Sequence, residues 1–381
     1  MPVHSQGVEA SLFRTDDQVY WKGVPEILSG SRGQASLPSV GKIRTGDEVR
    51  EGPFQEDVLA PSVLVRLEGE KQMIPRHPKT GRRYRQVFPW PTDIYCDWRD
   101  AYARLSSEVP WVSDHEETEI PKLLSESEPQ DVLILWHDLL PPGASQETTR
   151  AKLILYWPET VGSGIGMTVH QTEMLRELVA RRARAYSGII FYDPDSKDFL
   201  SPVLPVPAGV SPAGYDAQVM GQPDWNAPKT TDIALYGAFT GIREWIIPDL
   251  RARMDGRLDE FSGIHKKARA ARLSSSRSIL IVPHSPGSFP QWRLWHAIAS
   301  SAALLAPWPK AWPAESGKHY IEVPFPDPAR PGPFLDAIMA ALGRSDLSTV
   351  ARTAHEEISK ITVARAFEEW TVPEIERMLS R

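Results

Sequence analysis

The sequence predicts an α/β protein of two domains, each built around a parallel β-sheet. From residue 131 onward, short apolar runs alternate with amphipathic helical segments, which is the pattern of strands buried on both faces and joined by crossover helices. The length of 381 residues fits two domains of ordinary size. A segment rich in Pro, Gly and Asn, residues 216–229, divides this region in two and is the expected linker.

The first half of the alternating region contains three expected strands and one helix. The strands are residues 131–136, 152–157 and 188–192, and the helix is residues 170–185. Before residue 126 the chain is rich in Gly, Ser and Pro, with isolated strand-like runs at residues 18–21, 62–67 and 93–97 and a helix start at 100–105. We therefore assign residues 1–125 to an irregular, partly β extension that completes or decorates the first domain, and residues 126–225 to that domain.

The second domain, residues 226–381, repeats the alternation and ends in a C-terminal helix. Its expected strands are residues 232–236, 278–282, 302–306 and 320–323. Its expected helices are residues 242–254, 291–301, 332–342 and 347–370. Two Rossmann-like domains joined by a linker place a cleft between the carboxyl-terminal edges of their sheets, where open α/β sheets bind ligands.

The composition excludes several classes of protein. The formal charge is −6, from 43 Lys and Arg against 49 Asp and Glu, which disfavours a protein that is basic overall and binds nucleic acid through its net charge. Cys96 is the one cysteine, so neither an intrachain disulfide nor a multi-cysteine zinc site is possible. No apolar run has the ~20 residues of a membrane span, and residues 1–13 lack a secretory pattern. We expect a cytoplasmic protein, without a metal and without contact to a membrane.

A glycine-flanked turn in the second domain is a candidate phosphate-binding loop. It runs from Gly237 through Thr240 to Gly241, follows an expected strand and precedes a helix that carries Arg243. Glycines let backbone N–H groups approach a phosphate at a helix N-terminus. The alternative is a loop that needs glycine only for its turn.

A second loop, residues 283–290, has the same place after the next strand. It contains His284, Gly287 and Ser288, and the helix behind it carries Arg293 and His296 on one face. This arrangement suits a diphosphate and a ribose. The alternative is a packing role, with Arg293 as a surface charge.

Candidates for a general base lie where the strands of the first domain end. They are His137, Asp138, Glu159 and Asp193. A carboxylate or a histidine at such a position is able to deprotonate an acceptor hydroxyl. The alternative for each of these residues is a structural role, as a helix cap or as a charged residue in a loop.

Residues 71–85 form a basic segment that carries six Lys and Arg and no acid. A central turn makes it a candidate basic hairpin, with Tyr84, Phe88 and Trp90 as stacking rings. The residues expected to contact nucleic acid are Lys79, Arg82, Arg83 and Arg85. The alternative is an exposed loop balanced by the acidic residues 108–128. A further basic cluster, residues 265–272, is interpreted as a solvated helix face.

Residues 130–370 resemble the GT-B glycosyltransferases, in particular the group with spore-maturation proteins and bacteriophage enzymes. The resemblance lies in the runs GIIFYDPDSKDFLSPVLPVPAGVSPAGYD, DIALYGAFTGIRE and RLWHAIASSAALLAP. Arg293 stands at the family's arginine, whereas His296 replaces the glutamate that binds ribose and Ser301 replaces a glycine. The resemblance does not extend to residues 1–125.

The resemblance implies a glycosyltransferase, a hexosyl- or pentosyltransferase, that takes its sugar from a nucleotide-sugar and needs no other cofactor. A UDP-sugar is favoured over a GDP-sugar. Phage members of this group modify hydroxymethylated pyrimidines in DNA, so that base is a candidate acceptor, in the cytoplasm of a host cell if the protein is viral. The alternatives are a protein or small-molecule acceptor, or an inactive protein that binds nucleotide or DNA.

Overall fold

The computed structural model describes residues 12–15, 18–21, 74–89, 96–137, 139–157, 167–237, 241–283, 292–307, 312–327 and 329–380. The chain divides into two compact units, residues 1–73 and 74–381. In the first unit, the strands β1 (Leu12–Thr15) and β2 (Gln18–Trp21) pair antiparallel. The strand expected at residues 18–21 is therefore present, and the one expected at residues 62–67 lies outside the described residues. Among the described helices, none is long and apolar enough to cross a membrane.

The larger unit begins with a six-stranded parallel sheet. Its strands are β3 (Arg83–Phe88), β4 (Val112–Glu116), β5 (Asp131–Trp136), β6 (Lys152–Trp157), β7 (Gly188–Phe191) and β8 (Ala208–Val210), in the order β4-β3-β5-β6-β7-β8. Its helices are α1 (Cys96–Glu108), α2 (Ile120–Glu126), α3 (Val169–Ala183), α4 (Pro194–Leu200) and α5 (Ala217–Met220). Every neighbouring pair of strands is parallel.

Large aromatic side chains fill one side of this sheet. Trp136 on β5 stacks on Phe88 and on Tyr156, with ring centroids 4.9 Å and 4.0 Å away. All six residues of β5 are buried, as expected of a central strand covered on both faces. Trp136 also donates a hydrogen bond to Gln86 on β3, so the polar edge of its ring is satisfied inside the core.

A second, five-stranded parallel sheet follows. Its strands are β9 (Thr231–Tyr236), β10 (Leu258–Phe261), β11 (Ser276–Leu280), β12 (Ala303–Pro307) and β13 (Ile321–Val323), in the order β10-β9-β11-β12-β13. Its helices are α6 (Ile242–Met254), α7 (Lys266–Ser274), α8 (Trp292–Ile298), α9 (Gly332–Leu342) and α10 (Leu347–Ile358). The predicted class, an α/β protein with two Rossmann-like domains of the GT-B type, is confirmed.

The last segment of the chain returns to the first sheet. It comprises α11 (Val363–Ala366), a π-helical turn (Phe367–Thr371) and α12 (Val372–Leu379). Glu376 accepts a hydrogen bond from Tyr84 on β3, and Arg377 donates one to the carbonyl of Ala208 on β8. The single helix predicted for residues 347–370 is therefore wrong: α10 ends at Ile358, and Thr362 caps a new helix that packs on the first domain.

Other elements also differ from the sequence-based expectation. The residues before 126 supply β3, α1 and β4, so from residue 83 onward they complete the first domain rather than decorate it. The helix α1 already begins at Cys96, which contradicts a strand over residues 96–97, and residues 93–95 lie outside the described part. The strand β10 was not predicted, because its sequence, LDEF, is too polar to show a buried face. The helix α7 corresponds to the helix face expected over residues 265–272.

We predict that Phe367→Ala lowers the free energy of unfolding by about 3–5 kcal/mol, the usual cost of truncating a buried phenylalanine. The Phe367 side chain is 1% exposed, and its ring lies 5.9 Å from the rings of both Tyr84 and Trp111. Urea unfolding followed by circular dichroism measures the loss. Trp245→Ala is the control, because Trp245 is 69% exposed and its removal should change stability by about 0.5 kcal/mol or less. Equal effects of the two substitutions would show that the returning segment does not hold the fold together.

Candidate nucleotide-binding site

The order of the strands marks one position on each sheet where a ligand can bind. In the second sheet β9 lies between β10 and β11, so the chain leaves β9 and β11 toward opposite sides. In the first sheet β3 has the same position between β4 and β5. Ligands of open α/β sheets bind at the carboxyl ends of the strands at such a switch point. Gly237, directly after β9, and residues 281–283, directly after β11, lie at the switch point of the second sheet, and the remainder of these two candidate phosphate loops, except Gly241, lies outside the described residues.

Two buried arginines approach the backbone where β9 ends. Gly237 has φ +101°, and a Cβ atom built on it would lie 2.8 Å from Nη2 of Arg293 and 3.4 Å from Nη1 of Arg243. Only glycine tolerates both this conformation and this proximity. Arg243 is 4% and Arg293 is 7% exposed, and both side chains point at the turn from helices on either side of it.

Backbone carbonyls hold the two guanidinium groups in place. Arg243 donates a hydrogen bond from Nε to the carbonyl of Val282, just beyond β11, at 2.7 Å. Arg293 donates from Nη2 to the carbonyl of Tyr236 at 2.8 Å, and its guanidinium lies 4.9 Å from the centre of the Tyr236 ring. Among the described residues, Nη1 of Arg293 is buried without a hydrogen-bond acceptor.

The charge of Arg293 is poorly compensated. Burial and the neighbouring charge of Arg293 lower the pKa of Arg243 well below its usual value, and burial also lowers the pKa of Arg293. Within the described part of the chain, no carboxylate forms an ion pair with Arg293. Buried cations that lack a carboxylate are costly, and a bound anion would offset that cost.

His296 belongs to a different network, which joins the two domains. Its Nδ1 lies 2.7 Å from the hydroxyl of Tyr236, and its Nε2 lies 3.2 Å from a carboxylate oxygen of Asp97 in the first turn of α1. Arg269 on α7 lies 3.1 Å from the same Asp97 oxygen and also contacts the His296 ring. Burial and the charge of Arg269 lower the pKa of His296 to about 4, so the ring is neutral at neutral pH.

Asp97 keeps its charge in this network. Burial alone would raise the pKa of Asp97, but the contacts with His296 and Arg269 outweigh it and hold the pKa well below its usual range. The interpretation of residues 265–272 as a solvated face is therefore wrong for Arg269, which is 7% exposed.

Cys96, Asp97 and His265 bring a sulfur, an oxygen and a nitrogen within 4.8 Å of one another. We assign no metal to them, because Arg269 already occupies this place: it donates to His265 at 2.9 Å and pairs with Asp97. Burial and the neighbouring Asp97 raise the pKa of the Cys96 thiol to about 12, so it is not a thiolate at neutral pH.

Ser301, the second departure from the resembled pattern, has a structural role. Its hydroxyl donates to the carbonyl of Asp224 at 2.6 Å and accepts from Lys229 at 2.8 Å. Asp224 and Lys229 both belong to the interdomain linker, so Ser301 fixes the linker against the second domain.

Two of the four candidate bases are described. His137 follows β5 at the switch point of the first sheet, with φ +67°, and burial together with the charge of Arg182 lowers its pKa to about 4. Asp193 follows β7 and caps α4 by accepting from the Ser196 N–H at 2.8 Å, while its Oδ2 is buried without a hydrogen-bond partner in the described residues. Burial raises the pKa of Asp193 to about 6. Asp138 and Glu159 lie outside the described residues.

The basic segment is not a hairpin. Its last three residues, 83–85, begin β3, which pairs in parallel with β4 and β5, and both Tyr84 and Phe88 are core residues. Its arginines have partners in the protein: Arg83 and Arg85 pair with Asp131, and Arg82 pairs with Glu376. Lys79 lies in an exposed turn, and Trp90 lies outside the described residues. A set of free cations with stacking rings is therefore not present in residues 74–89.

Four other predicted donor-site residues, Thr240, His284, Gly287 and Ser288, lie outside the described part. Sequence reasoning missed three members of the site, Asp97, Tyr236 and Arg269. Asp97 was hidden because it belongs to a different domain, and Arg269 because its neighbours are also basic. The position of Tyr236 at the end of a predicted strand, directly before Gly237, was the one available signal.

Comparisons with known proteins agree with this architecture. No family model and no curated protein matches the sequence. Among solved structures, sucrose-phosphate synthase (tll1590) from Thermosynechococcus elongatus matches with a TM-score of 0.55 and 12% identity, over 78% of this chain and 99% of that chain. Anabaena Alr3699/HepE in complex with UDP-glucose matches with a TM-score of 0.51 and 10% identity, over 78% of this chain and 100% of that chain. At these identities the likeness defines the fold.

We predict that Asp193→Asn stabilises the protein at pH 7.5 and not at pH 4. Burial raises the pKa of Asp193 from 3.8 to about 6. The folded state therefore binds the proton more tightly than the unfolded state, and stability falls as the pH rises from about 4 to above 6, by up to about 3 kcal/mol. Asparagine caps a helix as well as aspartate does and carries no charge.

Thermal unfolding of both proteins at the two pH values measures this difference. Asp216→Asn is the matched control, because Asp216 also caps a helix but pairs with Arg104 at 3.1 Å, so its replacement should bring no gain. A wild-type protein as stable as Asp193→Asn at pH 7.5 would contradict a buried, weakly acidic Asp193.

Proposed function

We propose that the protein is a glycosyltransferase that binds a nucleotide-sugar at the switch point of its second sheet. The observation that carries this proposal is the pair of buried guanidinium groups, Arg243 and Arg293, that converge on Gly237. A diphosphate offers several acceptor oxygens and two negative charges, which match two guanidiniums held at fixed positions. The helix α6, which begins at Ile242 after this turn, adds the partial positive charge of its N-terminus.

We propose UDP as the nucleotide. The HepE structure with a TM-score above 0.5 contains UDP-glucose, and its fold spans the same share of this chain as the sucrose-phosphate synthase. The phosphates would lie over Gly237, with Arg293 Nη1 as a donor that has no acceptor among the described residues. The sugar would then project toward the carboxyl edge of the first sheet.

The first domain would supply the acceptor side. We propose Asp193 as the group that accepts the proton of the acceptor hydroxyl, in preference to His137. A carboxylate with a pKa near 6 is charged at neutral pH and is a stronger base than an ordinary aspartate, whereas a histidine with a pKa near 4 is a weak one. Trp98 links this edge to the donor domain, since its ring lies 6.5 Å from those of Tyr192 and Trp295.

The acceptor stays a prediction. A hydroxymethylated pyrimidine in DNA was favoured by the basic segment, but Arg82, Arg83 and Arg85 are paired with carboxylates of the protein. A protein or small-molecule acceptor is therefore equally consistent with the described residues. The narrower likeness to spore-maturation and bacteriophage enzymes, the choice between a hexose and a pentose, and the cytoplasmic location also remain predictions.

We expect UDP to bind the wild-type protein in isothermal calorimetry and Arg293→Met to weaken that binding by about 10–100-fold, the value of one charged hydrogen bond. Arg251→Met is the matched control: it removes the same charge from an exposed ion pair with Glu260 and should change the affinity less than twofold. Arg293→Met should not lower the thermal stability of the ligand-free protein, because it removes an unpaired buried cation. Equal UDP affinities for the two variants would contradict the site.

Slow hydrolysis of the donor separates an active enzyme from an inactive nucleotide-binding protein. We expect the wild-type protein to release UDP from a UDP-sugar in the absence of an acceptor, because water replaces the acceptor hydroxyl. Chromatography of a panel of UDP- and GDP-sugars measures this release, with Arg293→Met as the inactive reference. UDP binding without any release from the panel would favour the inactive alternative.

A further inference from the structure

We propose that Asp97, which belongs to the first domain, is a positioning residue for the anion-binding Arg293 of the second domain. This inference rests on the proposed function, because the site that Asp97 would organise is the donor site. Asp97 lies in the first turn of α1, where the helix dipole favours a carboxylate, and is 3% exposed.

Three groups of the second domain surround the Asp97 carboxylate. One oxygen lies 3.1 Å from Nη1 of Arg269 and 3.2 Å from Nε2 of His296. The other accepts from the backbone N–H of Lys266 at 3.3 Å. Asp97 thus contacts both α7 and α8 at once.

From His296 the contacts continue to Arg293 through one residue, Tyr236, by its hydroxyl and its backbone carbonyl. The hydroxyl of Tyr236 lies 2.7 Å from Nδ1 of His296, and the carbonyl of Tyr236 accepts from Arg293 at 2.8 Å. The Tyr236 ring is fixed by Phe261, which stacks on it at 5.6 Å, and by the guanidiniums of Arg269 and Arg293 on the ring. A shift of His296 therefore moves the residue that orients Arg293.

The contacts from Asp97 through His296 and Tyr236 to Arg293 depend on the negative charge of Asp97. Arg269 contacts the same ring as Arg293, and Asp97 is the carboxylate that pairs with it in the described part of the chain. Without that carboxylate, Arg269 becomes a buried cation without an ionic partner, which is costly unless it moves. Its movement would displace His296 and Tyr236 from their present geometry.

The test is a double-mutant cycle on UDP affinity. We expect Asp97→Asn to weaken UDP binding by about tenfold or more, and Tyr236→Phe, which removes the hydroxyl but keeps the carbonyl, to weaken it through the same route. The double variant should then lose little more UDP affinity than the single variant that binds UDP less tightly. Asp100→Asn is the matched control, because it breaks the neighbouring exposed ion pair with Lys266 on the same two helices and should stay within twofold of wild type.

Two results with UDP would overturn the proposal. One is wild-type affinity in Asp97→Asn. The other is additive losses in the cycle, which would place the effect of Asp97 outside the route through Tyr236. If Asp97→Asn does not fold, His296→Asn breaks the route at its next member and replaces it in the cycle.

Amide hydrogen exchange without ligand keeps this test independent of the donor. Asp97→Asn should speed exchange in residues 231–237 and 292–298, and Asp100→Asn should not. Failure of the wild-type protein to bind UDP would overturn the proposed function, and exchange alone would then decide the role of Asp97. Unchanged exchange in both segments would overturn that role.

Discussion

Three guanidinium groups are buried around Tyr236, and this concentration of positive charge constrains the rest of the site. Arg269, Arg243 and Arg293 are each between 4% and 7% exposed. Asp97 neutralises Arg269, whereas Arg293 donates to the carbonyl of Tyr236, which orients the guanidinium without cancelling its charge. Arg243 donates to the carbonyl of Val282. A buried cation held in this way lowers the stability of the protein unless an anion binds to it.

The topology explains why these residues meet. Parallel strands all end at the same edge of a sheet, so the residues that follow β9, β10 and β11 are brought together although they are distant in sequence. The carboxyl edge of the first sheet meets them through α1, whose first turn places Asp97 and Trp98 against α7 and α8. The C-terminal segment then ties the chain back to the first domain through Phe367 and Glu376.

Much of the fold follows from local sequence, and much of the site does not. The strands β5 and β6 and the helices α6 and α9 have the bounds predicted from apolar periodicity, because their hydrophobic residues lie next to one another in the chain. The end of the helix predicted to reach residue 370 was missed, since both parts of that segment are amphipathic and only the contact with a distant sheet separates them. Charged residues show the same difficulty. Arg83 was predicted to be a free cation because its partner in a buried ion pair, Asp131, is 48 residues away in the sequence.

The contacts of His296 give a physical explanation for a histidine, rather than a glutamate, at this position. The resembled glycosyltransferases carry a glutamate there, and this chain carries a histidine that burial keeps neutral. A neutral histidine gives the surrounding arginines one negative charge fewer than a glutamate at the same position would. Asp97 brings that charge from the other domain to within 3.2 Å of the histidine ring. A carboxylate in the same domain as the arginines neutralises their charge in every arrangement of the two domains. A carboxylate from the other domain does so only while the domains are in contact. In this chain, the electrostatic balance around Arg269 and His296 is therefore a property of both domains together.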